Sequence, residues 1–470
     1  MSVVPRFPGS PRSRPPRSRP PRPRRALLAA AAGAALLCTA VPACSPGGDR
    51  PGDEQRGPGD GNGTNILITG LDQRRNMSDA EKDRLHVNGK ECNCTDVMML
   101  LHFSADRKRM SAVSIPRDSY VPFAKQKGAP ERGKINAAFK HGGPKLAVRT
   151  VEKVTGVPVH GYADVDFPRF VKAVDEVGGS RVCTARPLWD ENSGLDLKAG
   201  DHRLAGKESL RYVRARHLSP PGDLGRNRRQ QYLVSGVLAS LASGATASDP
   251  DRLARTVQAV RKHVHTDLST GEMVGLARGM RGLTTRHMEF ATVPMSDFDL
   301  RVPGWGSSLK WDDKKAAALF DDLRKDRSLT ANPLHGPPRG VHAVSLPPAT
   351  IPVQVVGERE RAAKIEKGLR ENGFKVLQGP VPASAPSGKS GTRITYNPAN
   401  EPQAQAVATA LPDAELRLEP GHSTYATVWA GGKGTRVRKV VEDRNAVEGA
   451  AVTGDKVGGC GGQGAHTAGS

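Results

Sequence analysis

Apolar residues along this chain come in short runs separated by polar loops, and the spacing inside each run changes from one segment to the next. "NILITGLD" carries Ile66, Leu67 and Ile68 in succession and ends at Gly70, the pattern of a strand buried on both faces. "VMMLLHF" (97–103) and "MSAVSI" (110–115) repeat it. In "GGPKLAVRTVEKVTG" (142–156), Leu146, Val148, Val151 and Val154 recur at near-helical intervals until Gly156. "DVDFPRFVKAVDEVGG" (164–179) predicts a second helix, with Phe167, Phe170, Val171, Val174 and Val177 on one face and Gly178 as its stop. "LAGKESLRYVRAR" (204–216) reads as a short helix with a basic end. "RNRRQQYLVSGVLASLAS" (226–243) reads as a longer one striped by Leu233, Val234, Val237, Leu238 and Leu241. A helix at 251–262, a strand "EFATVPM" (289–295) and a helix at 311–326 continue the alternation, which predicts an α/β fold.

The rhythm fails over 327–350, a Pro-rich stretch that reads as a linker. It resumes over 351–435 as a smaller α/β domain: strand "IPVQVVG", a helix in 358–371, strands "FKVLQ" and "RITYNP", helix "PQAQAVATAL", strand "ELRLEP". No cluster of catalytic-type residues falls there. The polar, Gly-rich tail at 436–470 is expected to be disordered. Residues 64–326 are therefore the larger domain, preceded by a flexible Gly/Pro/Asp linker at 45–63.

Charge changes the picture at the N-terminus. The formal charge of +22 invites a nucleic-acid reading, but much of it is local. Arg6, Arg12, Arg14, Arg17, Arg19, Arg22, Arg24 and Arg25 fill a Pro/Arg-rich arm (1–25), and no recognition-helix, zinc-finger or single-strand-binding signature accompanies them. Nucleic acid is therefore not expected as a partner. Directly after the arm, Ala26 to Cys44 form an uncharged run long enough to cross a bilayer. The arm is expected in the cytoplasm and the remainder on the extracytoplasmic face of the cytoplasmic membrane. An uncleaved anchor, a cleaved signal and a lipoprotein signal processed at Cys44 all remain open, and all three export residues 50–470. In that compartment a disulfide from Cys183 to Cys92 or Cys94 is favoured over a zinc site, because no second metal-type pair appears.

Candidate chemistry collects at the ends of the elements. The first strand delivers Asp72 and Arg74, the second is preceded by Asp96, and the third delivers Arg117 and Asp118. The basic helix ends in Arg214 and Arg216, and the next opens with Arg226, Arg229, Gln230 and Gln231. Singly, each has a plainer reading: a solvated face for Arg214 and Arg216, a turn or cap for Asp118 and Asp96, a helix cap for Asn136, a structural or solvated loop residue for His217. Together they gather arginines whose mutual repulsion calls for an anion. Guanidinium forks match phosphate oxygens in pairs, and the interleaved carboxylates suit Mg2+, with Mn2+ as an alternative.

"NILITGLDQR", "TDVMMLLHF", "VSIPRDSYV", "KINAAFKHGG", "VDFPRFVKAVDEVGG", "LKAGDHRLAGKESLRYVRARH" and "DLGRNRRQQ" resemble, in order and spacing, the LytR-CpsA-Psr family of cell-wall ligases. The resemblance is close over 64–243 and looser to 326, and residues 351–430 look like the accessory domain of many actinobacterial members. It implies a central mixed sheet flanked by helices, and transfer of a glycosyl phosphate from a polyprenyl-pyrophosphate-linked glycan to peptidoglycan, expected at the C6 hydroxyl of N-acetylmuramic acid. Polyprenyl phosphate would be released. By the same resemblance Asp72 and Asp96 are the metal ligands, and Arg74, Arg117, Arg214, Arg216 and Arg226 the pyrophosphate clamp, with Arg229 and Gln230 completing it. One departure is Cys94, where many members carry arginine; Arg75 is the nearest substitute. Asp72, or alternatively Asp118, is the expected proton acceptor. A hydrolase of the same lipid and a non-catalytic wall- or lipid-binding protein are the competing readings.

Overall fold

Three apolar runs become three neighbouring strands. The computed structural model describes residues 63–457 apart from 75–76, 88–93, 185–186, 217, 219–221, 243–247, 336–341, 379–390, 420 and 432–434. Expectations placed on the arm, the membrane-spanning run, Arg75, Cys92, His217 and 458–470 lie outside the described residues. Strands β1 (Thr64–Leu71), β2 (Thr95–Phe103) and β3 (Met110–Ser114) pair antiparallel in that order. Gly161–Asp166 pairs parallel to β1, and Met288–Thr292 parallel to β3. His265–Thr266 and Val452–Thr453 form the two edges of this seven-stranded mixed sheet.

The runs are continuous because both faces are covered. Leu67, Met98, Leu100 and Val113 face one cluster, which includes Leu146, Val148 and Val151 of α2 (Ala137–Thr155) and Leu319 and Phe320 of the helix Asp313–Arg324. Ile66, Met99, Leu101 and Ala112 face the other, against Val234 and Leu238 of the long helix Gly222–Ala242 and Leu253 and Val257 of the helix Pro250–Arg261. Strand alternation sorts consecutive apolar residues to the two sides.

Several elements differ from the sequence reading. A helix turn precedes Gly142, and α2 kinks at Gly142 and Gly143 before resuming at Pro144. "DVD" closes the strand Gly161–Asp166, and the helix begins only at Phe167: Asp166 caps α3 (Phe167–Glu176) by accepting the Arg169 N–H, and a proline in the first turn fixes the start. In the accessory domain the five-stranded sheet runs 375–376, 352–357, 426–430, 393–396, 415–418. Its central strand, Ala426–Ala430, went unread in sequence.

The tail is the main correction. Expected to be disordered from 436, it is built through 457: Val440–Glu442 pairs with His342–Val344, and Val452–Thr453 joins the central sheet. Within the stretch read as a linker, His335 is buried against Asp322 and Thr330 is bonded to Glu289. Their apolar anchors, such as Leu329, Val344 and Val440, are isolated, and backbone groups and single polar side chains supply the rest of the hold, which leaves no apolar period to read.

Candidate active site

Antiparallel pairing puts the C-terminal ends of β1 and β3 and the N-terminal end of β2 at one end of the sheet. The register slips between Gly70, opposite Val97, and Leu71, opposite Thr95, so Asp96 is the extra residue of a bulge. Bulges re-aim side chains, and here the bulge turns Asp96 toward the tip of β3. The Asp72 N–H is fixed by the Cys94 carbonyl at 3.0 Å, and the Arg117 carbonyl by the Asn136 N–H at 3.2 Å. Asn136 does stand at the start of α2, but its side chain makes no cap; it reaches the Cys94 sulfur at 3.8 Å. Cys94 and Cys183 are both disulfide-bonded.

From these ends a crevice of about 660 Å³ opens, lined by Asp72, Arg74, Asp96, Arg117, Arg214, Arg216 and Arg226. Seven of the predicted residues thus share one cavity. Arg74 clasps Asp72 with both arms of its fork, at 2.6 and 2.9 Å. Arg117 donates to Asp96 at 2.5 Å, and Arg226 donates to the Asp96 carbonyl at 3.3 Å. α4 (Gly206–Arg214) ends by aiming Arg214 over the Phe167 ring, 5.3 Å from its centroid. Arg74 lies 5.8 Å from the same ring, so one aromatic ring serves two cations.

Three predicted residues are placed otherwise. Asp118 does not line the crevice; it holds Lys134 at 3.0 Å and the Arg117 Nε at 3.4 Å, and so helps to fix the Arg117 side chain. Arg229 and Gln230 also lie outside the lining, on α5 (Gly222–Ala242). Both are buried, and they donate to the carbonyls of Ala215 and Val213. They tie α5 to the end of α4 and the residues after it, where Arg214 and Arg216 stand.

Four lining residues went unread: His86, Asp190, Asn192 and Ser193. His86 ends α1 (Asp79–Leu85) in a left-handed conformation (φ 53°), and its carbonyl accepts from Arg214. Asp190, 1% exposed, accepts the Arg216 N–H at 2.6 Å and the Ser193 N–H at 3.2 Å. The one available signal was "WDENSG", a polar turn between two short strands.

The crevice is rich in charge. Among the described residues that line it, five arginines stand with three carboxylates. Burial, and then the adjacent Arg74 charge, lower the Arg214 pKa from its ordinary value. Burial raises the Asp72 carboxyl above the usual aspartate range; Asp96 adds to the rise, and Arg74 opposes it. Such a site takes up an anion with several oxygens, and its two clasped carboxylates, Asp72 and Asp96, form an all-oxygen donor pair suited to a hard dication beside phosphate. Among the described residues no group of three or more His, Cys, Asp or Glu side chains is gathered as a metal cluster.

Comparison with known proteins matches residues 49–325 to the LytR_cpsA_psr family and residues 352–433 to a domain described as LytR cell envelope-related transcriptional attenuator. The chain is 35% identical over 272 residues to a probable cell wall biosynthesis protein, LcpB, of Corynebacterium glutamicum, covering 56% of this chain and 61% of that protein. It is 29% identical over 275 residues to that organism's LcpA, covering 52% and 53%. A polyisoprenyl-teichoic acid–peptidoglycan teichoic acid transferase, TagU, of Bacillus cereus is 30% identical over 248 residues, covering 51% and 69%. The chain thus spans little more than half the length of the two corynebacterial proteins. The crystal structure of Bacillus subtilis TagV is 25% identical with a TM-score of 0.46, covering 56% of this chain and 98% of that one.

Proposed function

The chain belongs to the LytR-CpsA-Psr family, and on that footing we propose that it is an extracytoplasmic phosphotransferase that joins a cell-wall glycopolymer to peptidoglycan. The observation that carries the reading is the convergence of five arginines and two clasped carboxylates on one crevice. Its donor is a polyprenyl-pyrophosphate-linked glycan, and its acceptor the C6 hydroxyl of N-acetylmuramic acid. Outside the membrane no nucleotide supplies energy, so the phosphoanhydride of the donor has to carry it.

The acceptor oxygen attacks the phosphorus that bears the glycan. The P–O bond to the bridging oxygen breaks, and polyprenyl phosphate leaves with the electron pair. Phosphoryl transfer of this kind needs positioning and neutralisation more than covalent help. Arg74, Arg117, Arg214, Arg216 and Arg226 supply fixed positive charge to the pyrophosphate oxygens. Asp72, which lines the crevice, takes the proton of the acceptor hydroxyl. Asp72 and Asp96 would hold Mg2+, which would supply further charge neutralisation at the phosphates.

The test incubates the purified chain with a short lipid-linked glycan, with and without Mg2+ and peptidoglycan fragments, and follows pyrophosphate loss by chromatography. Metal-dependent loss that joins glycan to peptidoglycan supports the reading. Equal loss without acceptor would make the protein a hydrolase, and tight binding without turnover a wall- or lipid-binding protein.

A further inference from the structure

After completing the accessory sheet the chain returns to the catalytic domain. Asn445 grips the main chain of one residue there: its Oδ1 accepts the Met295 N–H and its Nδ2 donates to the Met295 carbonyl, both at 2.8 Å. Arg444 lies 4.2 Å from the Phe298 ring centroid and meets Glu448, itself 1% exposed, at 3.3 Å. The Ala451 N–H donates to the His335 carbonyl at 2.7 Å, and Val452 and Thr453 pair with Phe290 and Glu289. The short helix Gly454–Val457 then packs on α5, with Val457 against the cluster that holds Val234 and Leu238.

α5 also carries Arg226 into the crevice. Two residues on, Arg228 donates to the Ala450 carbonyl at 2.6 Å and to Gln231 Oε1 at 3.3 Å. The Gln231 amide donates in turn to Ser114 Oγ and the Ala291 carbonyl, each at 2.9 Å. Ser114 ends β3, just before the turn that presents Arg117. A continuous hydrogen-bonded path therefore joins Ala450, Arg228, Gln231 and the β3 tip. Burial lowers Arg228 to about 10, with the Glu448 charge opposing, and raises Glu448, whose near partner is Arg444.

We propose that residues 443–457 form a strap that is a working part of the pyrophosphate site, in which Asn445, Glu448 and the Ala450 carbonyl position α5 and, through Arg228, set Arg226 against Asp96. The inference rests on reading the crevice as a pyrophosphate clamp. None of the three lines the crevice, so they are positioning residues. The accessory domain is accordingly held to the catalytic domain at both of its ends.

The test uses the full chain, with hydrogen exchange read on α5 amides and geranyl pyrophosphate titrated by calorimetry. Asn445→Ala/Glu448→Ala should speed α5 exchange at least tenfold and weaken binding about tenfold, while Glu448→Gln keeps most of both. In an Arg226→Ala background the same double substitution should weaken binding no more than twofold further. Unchanged exchange, or equal losses with and without Arg226, would overturn the proposal. Arg228→Lys keeps the charge but shortens the reach to Ala450, and it should shift exchange and binding in the same direction. If the double variant misfolds, an Arg228→Lys chain with unchanged exchange and binding overturns the proposal by itself. If the unsubstituted chain ignores geranyl pyrophosphate, the clamp reading fails, and the exchange measurement alone decides whether the strap holds α5.

Discussion

The two ends of the central sheet are built from the same residue types and treat them oppositely. At the far end Glu289 accepts from Ser111, Ser328, Thr330 and the Leu329 N–H, and Asp326 accepts from His102, Arg109 and the Ala105 N–H. Asp322 there binds Asn332, His335 and Arg327. Burial alone would raise Glu289, but this hydrogen bonding outweighs it and leaves its pKa lowered. At the crevice end burial wins, Asp72 is raised, and arginines outnumber carboxylates among the described lining residues. A closed network of ion pairs holds a fold together. An open crevice of about 660 Å³ lined by arginines has room for a ligand.

The largest effect that would separate the two ends is on turnover. Arg117→Ala should lower transferase activity by on the order of 2–4 kcal/mol at the transition state, about thirty- to a thousandfold. Its pairs with Asp96 and Asp118 are part-exposed, so the unfolding midpoint should hardly move. Glu289→Ala should do the reverse, costing roughly 2–3 kcal/mol of stability by stranding buried donors, with activity per folded molecule retained. Chemical denaturation and assay of the same preparations read both. Equal stability losses at the two ends would remove the distinction.

How far sequence could go follows from what holds each part. β1, β2 and β3 were legible because apolar runs such as Met98–Leu101 can only be buried strands. The crevice was legible in outline, since Asp72, Asp96 and Arg117 flank those runs. The bulge that turns Asp96 was not, because register depends on a partner strand. Asp190 was hidden for a similar reason: its role is to accept two backbone N–H groups in a hairpin that has no strong apolar pattern. Arg229 and Gln230 carried the right spacing, but their targets are the carbonyls of Ala215 and Val213. The strap works through Asn445 and main-chain groups, and its composition reads as disorder.

A smaller effect lies in pH. Glu289 and Asp322 have lowered pKa values in the fold, so the stability they contribute is present above their unfolded values, 4.5 and 3.8, and is lost as pH falls through the folded ones. Glu289→Gln should flatten the acid limb of the stability curve. Asp72 has the opposite sign: its contribution is present below its unfolded value, 3.8, and is lost as pH rises through the folded one. Asp72→Asn should leave the acid limb of stability steep while abolishing the acid limb of activity. An unchanged activity profile would take the proton-acceptor role from Asp72.

The smallest expected effect decides to which end of the comparison Asp118 belongs. It stands beside Arg117, yet it is spent on Lys134 and on the back of the Arg117 guanidinium, outside the crevice lining. Part-exposed pairs of this kind are worth under about 1 kcal/mol, so Asp118→Ala should cost about fivefold or less in activity by loosening Arg117. A proton acceptor would cost about a hundredfold or more. The loss should also vanish in an Arg117→Ala background, because Asp118 acts only through that side chain. A large loss that persists without Arg117 would put the acidic chemistry on Asp118 and reduce Asp72 to the partner of Arg74.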